Sequence, residues 1–243
     1  MICRYLFFIV KLYIMVSNER NGLMKKLLSA SIMCADLMNM QTSIKEIENA
    51  GVDWLHVDVM DGDFVPNITL GFDTVNAVRA VSNIPLDVHM MVSEPIRFID
   101  MMKLTGEDYI TVHYEACQDI EKTLRYIREK GCKVGLAINP QTDFSVTEKY
   151  LSLIDMLLVM TVNPGFAGQK IFDGAFEKAT QVRQRLSELG YSDMLIQVDG
   201  NISPENGMKL SRCGANVFVL GTSSLFIRGK EMKDSAESFR ALL

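Results

Sequence analysis

The chain has 243 residues, of which 48% are hydrophobic and 23% are charged, and its formal net charge is −5. This length and composition suit one large globular domain, or two small ones, with a sizeable core. The acidic balance and the lack of a basic cluster argue against nucleic acid as a partner.

The first 23 residues differ in character from the rest. Residues 1–16, MICRYLFFIVKLYIMV, are apolar but include Lys11, and a bilayer span needs about 20 apolar residues. No good signal-peptide cleavage site follows. MKKLL (24–28) is typical of a natural start. We therefore interpret residues 1–23 as the result of an upstream translation start or as a loosely attached extension outside the fold, with a membrane tether as a further alternative, and we predict a single domain over residues 24–243. No membrane partner is expected.

From residue 27 onward, apolar runs typical of strands alternate with amphipathic helical stretches. Helices are predicted at 35–51, 94–106 and 176–190, where Gly51, Pro95 and Gly190 provide terminal signals. Strands are predicted at 27–33, 54–60, 85–92, 109–114, 133–139, 156–162, 195–200 and 217–223.

Eight strands alternating with helices indicate parallel βα units, and strands that are apolar throughout are expected when both sheet faces are covered. The prediction is an α/β fold, a single closed (β/α)₈ TIM barrel. An open doubly wound sheet is the rival, but ASIMCADL (30–37) lacks the GxGxxG turn that normally follows its first strand.

A barrel of this type carries its chemistry at the carboxyl ends of the strands. His56, Asp58 and Met60 alternate along the second strand and share a face, as do His89 and Met91 on the third. The seventh strand ends at Asp199. Two imidazoles and two carboxylates are a suitable ligand set for a divalent transition metal, whereas each histidine alone is more often a hydrogen-bonded core residue.

Asp87 faces the same way as His89 and is predicted to be either a partner of a ligand or an ordinary salt-bridge residue, outside the ligand set. The five cysteines are odd in number and form no CxxC pair, which favours free, mostly buried thiols in a reducing cytoplasm over a zinc ribbon. They are Cys3, Cys34, Cys117, Cys132 and Cys213.

Glycine-containing segments follow three late strands: VNPGFAGQK (162–170), DGNIS (199–203) and GTSSLF (221–226). Glycines there let backbone N–H groups approach an anion closely. Tight βα turns would also use glycine, but three such loops in neighbouring positions predict a phosphate cradle.

With these motifs in place, the chain from Lys25 to about Phe239 resembles the ribulose-phosphate 3-epimerase family. The matching stretches are SIM (31–33), HVDVMDGDFVPNITLG (56–71), DVHMMV (87–92), VMTVNPGFAGQK (159–170), VDGNI (198–202) and GTSSLF (221–226). The resemblance implies a ribulose-phosphate-binding type of barrel, a dimer or higher homo-oligomer, and one divalent metal ion (Zn, Fe, Mn or Co) per subunit.

The resemblance also implies roles for individual residues. Metal ligands would be His56, Asp58, His89 and Asp199, and Asp58 and Asp199 would also be the catalytic acid/base pair. The methionines Met60, Met91 and Met160, which the pattern alone indicates as core, would line the pocket. Substrate would be bound by Ser31, His89, Gly165, Phe166, Ala167, Gly168, Asp199, Gly200, Asn201, Gly221, Thr222 and Ser223.

The implied function is a metal-dependent sugar-phosphate 3-epimerase. It would interconvert D-ribulose 5-phosphate and D-xylulose 5-phosphate by two-base proton transfer at C3 through an enediolate.

Some residues depart from the pentulose pattern. Ala167 and Asn201 stand where glycine is usual, Thr222-Ser223 stands for Ser-Ala, and Asp63 replaces a frequent histidine. They resemble the allulose-6-phosphate 3-epimerase branch, whose product is D-fructose 6-phosphate, and this alternative stays open.

Two alternatives from other functional classes also remain open. A non-catalytic phosphate-binding barrel predicts loss of at least one metal ligand, and a class II aldolase-like enzyme predicts retro-aldol products.

Overall fold

Eight parallel strands close into a barrel in which each strand pairs with its sequence neighbours and β1 pairs with β8. The computed structural model describes residues 24–243, so the interpretation of residues 1–23 falls outside it. The predicted (β/α)₈ barrel is confirmed, and the open sheet is excluded. The strands are β1 Leu27–Ser31, β2 Trp54–Met60, β3 Leu86–Met91, β4 Tyr109–His113, β5 Lys133–Ile138, β6 Met156–Met160, β7 Leu195–Asp199 and β8 Val217–Leu220.

Helices and 3₁₀ segments connect the strands. The predicted helix at 176–190 is confirmed as α4. The predicted helix at 35–51 is confirmed as α1 only from Met40 onward, because a 3₁₀ turn at Leu37–Asn39 precedes it, and Gly51 and Gly190 follow the two helices with φ of 78° and 86°. The α-helices are α1 Met40–Asn49, α2 Phe72–Val81, α3 Ile120–Glu129, α4 Ala175–Glu188, α5 Pro204–Arg212 and α6 Met232–Arg240. The 3₁₀ segments are Ile32–Cys34, Leu37–Asn39, Pro95–Arg97, Ile99–Met101, Tyr114–Ala116 and Phe144–Leu153.

The predicted helix at 94–106 is wrong, because this segment forms only the two 3₁₀ turns between β3 and β4. Asn76 on α2 donates to Met101 O (2.9 Å) and accepts from Lys103 N (2.7 Å). Backbone groups that an α-helix would pair internally are thus bound by a neighbouring side chain, and tertiary contact overrides local periodicity.

The amino-terminal end of the barrel interior is filled by apolar side chains. Trp54, Tyr109, Met156 and Val217 form one buried cluster there, with the Trp54 and Tyr109 rings 4.7 Å apart. Each such side chain stabilises the fold by roughly 1.5–3 kcal/mol on burial. The inward-facing polar residues therefore lie further along the strands, toward their carboxyl ends.

Candidate metal centre and cavity

Four side chains from three strands converge inside the barrel. His56 and Asp58 lie on β2, His89 lies on β3 and Asp199 ends β7; one ligand atom from each lies within 4.8 Å of the others. The register of β2 and β3 pairs Asp58 directly with His89. The four residues predicted as ligands are thus brought together.

The spacing of these atoms suits a small cation. Asp58 Oδ1 lies 3.1 Å from His56 Nε2 and 3.2 Å from His89 Nδ1. Asp199 Oδ2 lies 3.8 Å and 3.7 Å from the same two nitrogens. Metal–ligand bonds of about 2.1 Å in a tetrahedral site place ligand atoms about 3.4 Å apart. The cluster could therefore hold a divalent metal ion, and its mixed nitrogen and oxygen donors suit a transition metal.

Asp87 lies behind His56 and outside the ligand set. Its carboxylate is fully buried, and Oδ2 accepts hydrogen bonds from His56 Nδ1 (2.7 Å), Ser29 Oγ (2.9 Å) and Gln197 Nε2. Because a carboxylate only accepts, His56 donates its Nδ1 proton to it, and in the neutral form of the ring the Nε2 lone pair faces the cluster. Asp87 was predicted to be either a partner of a ligand or an ordinary salt-bridge residue, and its hydrogen bond to His56, a candidate ligand, favours the first role.

The pKa values of the two carboxyls in the cluster are shifted in opposite directions. Burial, reinforced by the charge of Asp58, raises the pKa of Asp199 to about 7, although His56 opposes the shift. Burial would also raise the pKa of Asp58, but the adjacent His56 outweighs it and holds that pKa far below its usual range. Paired carboxyls whose environments separate their proton affinities can serve as acid and base.

The pKa values of the two histidines in the cluster are also shifted in opposite directions. Burial alone would lower the pKa of His56, but Asp58 and Asp87 together raise it well above the ordinary value. Burial lowers the pKa of His89. A cation held among these groups would favour ionised carboxylates and neutral imidazoles.

Sequence reasoning missed a further histidine and a glutamate that extend the cluster. His89 Nε2 lies 2.8 Å from His113 Nε2, and His113 Nδ1 lies 3.3 Å from Glu115 Oε2. Burial lowers the pKa of His113 to about 4. Burial would raise the pKa of Glu115, but hydrogen bonds from His113, Thr142 and Asn139 lower it to about 2. The available signal was His113 itself, an ionisable residue within a predicted strand beside the third.

A cavity opens above the cluster, with Asp58 and Asp199 on its wall. Almost all the other predicted substrate and pocket residues line it as well: Ser31, Met60, Met91, Met160, Gly165, Phe166, Ala167, Gly168, Gly200, Asn201, Gly221, Thr222 and Ser223. Five further lining residues belong to the segments of the predicted phosphate cradle: Val162, Asn163, Pro164, Gln169 and Ile202. Met33, Cys34 and Val219 also line the cavity and had no predicted role.

His89 is the exception among the predicted substrate-binding residues. Its side chain is fully buried and does not line the cavity, because it packs against the rings of His56 and His113 at centroid distances of 5.3 Å and 5.0 Å. The structure therefore places His89 in the cluster beneath the cavity and away from the cavity wall. Asp63, one of the departures from the pentulose pattern, is exposed and lies off the cavity wall.

The loops after β6 and β7 are bound to each other at the cavity. Gly200 has φ of 114°, and a Cβ there would lie 2.5 Å from Val162 Cγ2, so the position accepts only glycine. Asn201, with φ of 51°, donates from Nδ2 to Gln169 O at 2.5 Å and accepts at O from Asn206 Nδ2 at 2.9 Å. Two of the three segments of the predicted phosphate cradle thus contact each other, and all three contribute residues to the cavity lining.

Two further predictions concern the described residues as a whole. Cys34, Cys117, Cys132 and Cys213 are free, whereas Cys3 lies outside the described residues. Within residues 24–243, every helix is too short or too polar to cross a bilayer.

Comparisons with known proteins give a consistent result. The model of the Ribulose-phosphate 3 epimerase family matches residues 27–226. The ribulose-phosphate 3-epimerase of Bacillus subtilis (strain 168) is 43% identical over 193 residues, which cover 79% of this chain and 89% of the relative. The chloroplastic ribulose-5-phosphate-3-epimerase of Arabidopsis thaliana is 39% identical over 218 residues, covering 89% of this chain and 75% of the relative.

Among solved structures, KGPDC from Streptococcus mutans matches with a TM-score of 0.65 and 13% identity, covering 90% of this chain and 97% of that one. Phosphoribosyl anthranilate isomerase from Thermococcus kodakaraensis matches with a TM-score of 0.61 and 15% identity, covering 89% and 98%. At such low identity these structures support the barrel fold alone.

Proposed function

The chain belongs to the ribulose-phosphate 3-epimerase family, and from this premise we propose that it interconverts D-ribulose 5-phosphate and D-xylulose 5-phosphate. The observation that carries the proposal is the convergence of His56, Asp58, His89 and Asp199 beneath a cavity. A non-catalytic barrel would have no need to keep all four. The proposed cofactor is one divalent ion per subunit, of Zn, Fe, Mn or Co.

A divalent ion at this cluster would supply electrostatic stabilisation of the negative charge that develops on the substrate oxygens. The protein's own part is proton transfer at C3. Asp58 and Asp199 both line the cavity and come from strands that are separated in the barrel by β1 and β8. We propose that one carboxylate removes the C3 proton and the other carboxylic acid returns a proton to the opposite face.

Other side chains hold the two acids in place. Ser31 Oγ donates to Asp58 Oδ2 at 3.0 Å, while Asp58 Oδ1 contacts both imidazoles of the cluster. The loops after β6, β7 and β8 line the cavity, where their backbone N–H groups would bind the phosphate and fix C3 between the carboxyls.

A hexulose 6-phosphate is the second candidate substrate. Three departures from the pentulose pattern, Ala167, Asn201 and Thr222-Ser223, all line the cavity. A substrate longer by one carbon would be sensed there, so epimerisation of D-allulose 6-phosphate to D-fructose 6-phosphate is the specific alternative.

The test is a coupled assay on the metal-loaded full chain. D-Ribulose 5-phosphate and D-allulose 6-phosphate are supplied in parallel, with and without a chelator, and the epimers are measured. We expect xylulose 5-phosphate to form faster, with loss of turnover on chelation. A preference for allulose 6-phosphate would favour the alternative, retro-aldol products would indicate an aldolase, and no product from either substrate would favour the non-catalytic barrel.

The acid/base assignment has its own test. Asp58→Asn and Asp199→Asn should each lower kcat by at least about 100-fold, since one general acid/base step contributes roughly 10²–10⁴-fold. The far-ultraviolet circular dichroism spectrum should stay that of the parent. Near-normal turnover by either variant would contradict the two-acid mechanism.

Compartment and assembly are also proposed. Free thiols at the four described cysteines favour a reducing compartment such as the cytoplasm, which fractionation of cells would check. Leu37, Met38, Ile68 and Phe166 are large apolar side chains exposed on loops that follow β1, β2 and β6, and apolar surface of this kind favours a homo-oligomer. Light scattering coupled to size-exclusion chromatography would measure its mass.

A further inference from the structure

We propose that His113 and Glu115 form a positioning relay, which fixes the ring of His89 so that its Nδ1 atom faces the metal centre. The inference rests on the proposed function, in that it requires a metal ion at the cluster. Neither residue lies on the cavity wall, so the relay acts through His89 and not on the substrate.

The first step is the contact between the two imidazoles. His89 Nδ1 lies 3.2 Å from Asp58 Oδ1, while its Nε2 lies 2.8 Å from His113 Nε2. Both rings are fully buried, and they meet edge to edge with centroids 5.0 Å apart and planes inclined by 26°. A nitrogen–nitrogen hydrogen bond needs one donor and one acceptor, so the tautomers of the two rings are tied together.

Glu115 sets the direction of that bond. His113 Nδ1 lies 3.3 Å from Glu115 Oε2, and a carboxylate only accepts. His113 therefore carries its proton on Nδ1, and its Nε2 lone pair accepts the Nε2 proton of His89. The lone pair of His89 is then on Nδ1, directed at the cluster, which is the tautomer that a metal ligand must have.

The glutamate is itself held rigidly. Its Oε1 accepts from Asn139 N at 2.8 Å and from the Thr142 hydroxyl. Lys178 on α4 donates to the carbonyls of Asn139 (2.6 Å) and Thr142 (2.7 Å). The relay therefore ends on a fixed loop after β5.

The two cluster histidines are thereby oriented by different means. His56 donates directly to the buried carboxylate of Asp87, whereas His89 reaches Glu115 only through His113. Outer partners of metal-bound histidines typically contribute 10–100-fold to metal affinity. His113 should make a contribution of this size.

The test measures Co²⁺ binding by the metal-stripped full chain, by competition with a chelator and from the visible absorption spectrum. His113→Phe fills the same space but cannot accept a hydrogen bond, and His113→Gln presents an acceptor near the position of Nε2. We expect His113→Phe to bind Co²⁺ about 10–100-fold more weakly, with an altered spectrum, and His113→Gln to stay within about threefold of the parent.

Two outcomes overturn the relay: His113→Phe binding as tightly as the parent, or His113→Gln losing as much affinity as His113→Phe. If His113→Phe fails to fold, Glu115→Leu and Glu115→Gln replace the pair, since only glutamine can still accept the Nδ1 proton of His113. The same affinity for both of these variants would equally overturn it. A parent chain that binds no Co²⁺ would overturn the proposed function and the relay with it, whereas a binding parent with unaffected variants overturns the relay alone.

Discussion

The buried carboxylate of Asp87 offers the sharpest test of how the barrel orients the imidazoles of the candidate metal centre. In Asp87→Asn, the amide oxygen should replace Oδ2, because three donors from Ser29, His56 and Gln197 converge there. The hydrogen bond from His56 then loses its charge assistance. Charged hydrogen bonds contribute about 1.5–3 kcal/mol and neutral ones about 0.5–1.5 kcal/mol, so the loss between the midpoints is about 1.25 kcal/mol, or roughly eightfold in metal affinity.

The same substitution should also reduce stability. The amide nitrogen would occupy the position of Asp87 Oδ1, which has no hydrogen-bond partner among the described residues. An unsatisfied buried donor lowers the free energy of unfolding by about 1–3 kcal/mol. The two effects are measured separately, by Co²⁺ competition with a chelator and by urea unfolding of the metal-free chain.

Asp108→Asn is the matched control. Asp108 is also a fully buried aspartate, and it accepts from Arg79, Leu86 N and Thr105 away from the candidate metal centre. It should reduce stability while leaving Co²⁺ affinity unchanged. Unchanged affinity in Asp87→Asn, or an equal loss in both variants, would refute the idea that Asp87 orients His56.

Two further predictions follow from the geometry. Gly200→Ala should lower the free energy of unfolding by more than the roughly 1–2 kcal/mol that a left-handed backbone conformation costs a residue with a side chain, because the new Cβ would also clash with Val162. Gly229→Ala is the control, since Gly229 has φ of 79° and a Cβ there would meet nothing within 4 Å, so urea unfolding should show the conformational cost alone. Equal losses of stability in the two variants would contradict the steric argument. Glu115 has a folded pKa of about 2 against an ordinary value of 4.5, so the unfolded chain binds the proton more readily and stability should fall as pH drops from about 4.5 toward 2. The decline should be shallower in Glu115→Gln, and parallel pH profiles would contradict the assignment.

Local pattern was enough to predict most elements. The strand at Trp54–Met60 has its predicted bounds because an apolar run with alternating polar residues depends only on neighbouring positions. The same reasoning failed at residues 94–106, where the apolar spacing is helical but Asn76 binds the backbone groups that a helix would use. Asn76 is distant in sequence, and nothing local predicts that contact.

The residues of the candidate site also fall into those that local sequence predicted and those that it did not. Alternation along strands, together with family resemblance, predicted that His56, Asp58, His89 and Asp199 would lie together. It did not predict His113, because a histidine within an apolar strand is more often a core residue, and only the pairing of β3 with β4 places it against His89.

The sequence by itself determined the barrel, the order of its strands and the residues at their carboxyl ends, since these depend on periodicity and chain order. Only the tertiary structure decided which nitrogen of each imidazole faces the cluster. That choice depends on Asp87, 31 residues from His56, and on His113, 24 residues from His89. A tautomer is set by the partner of the opposite ring nitrogen, and the closed barrel is what brings those partners within hydrogen-bonding distance.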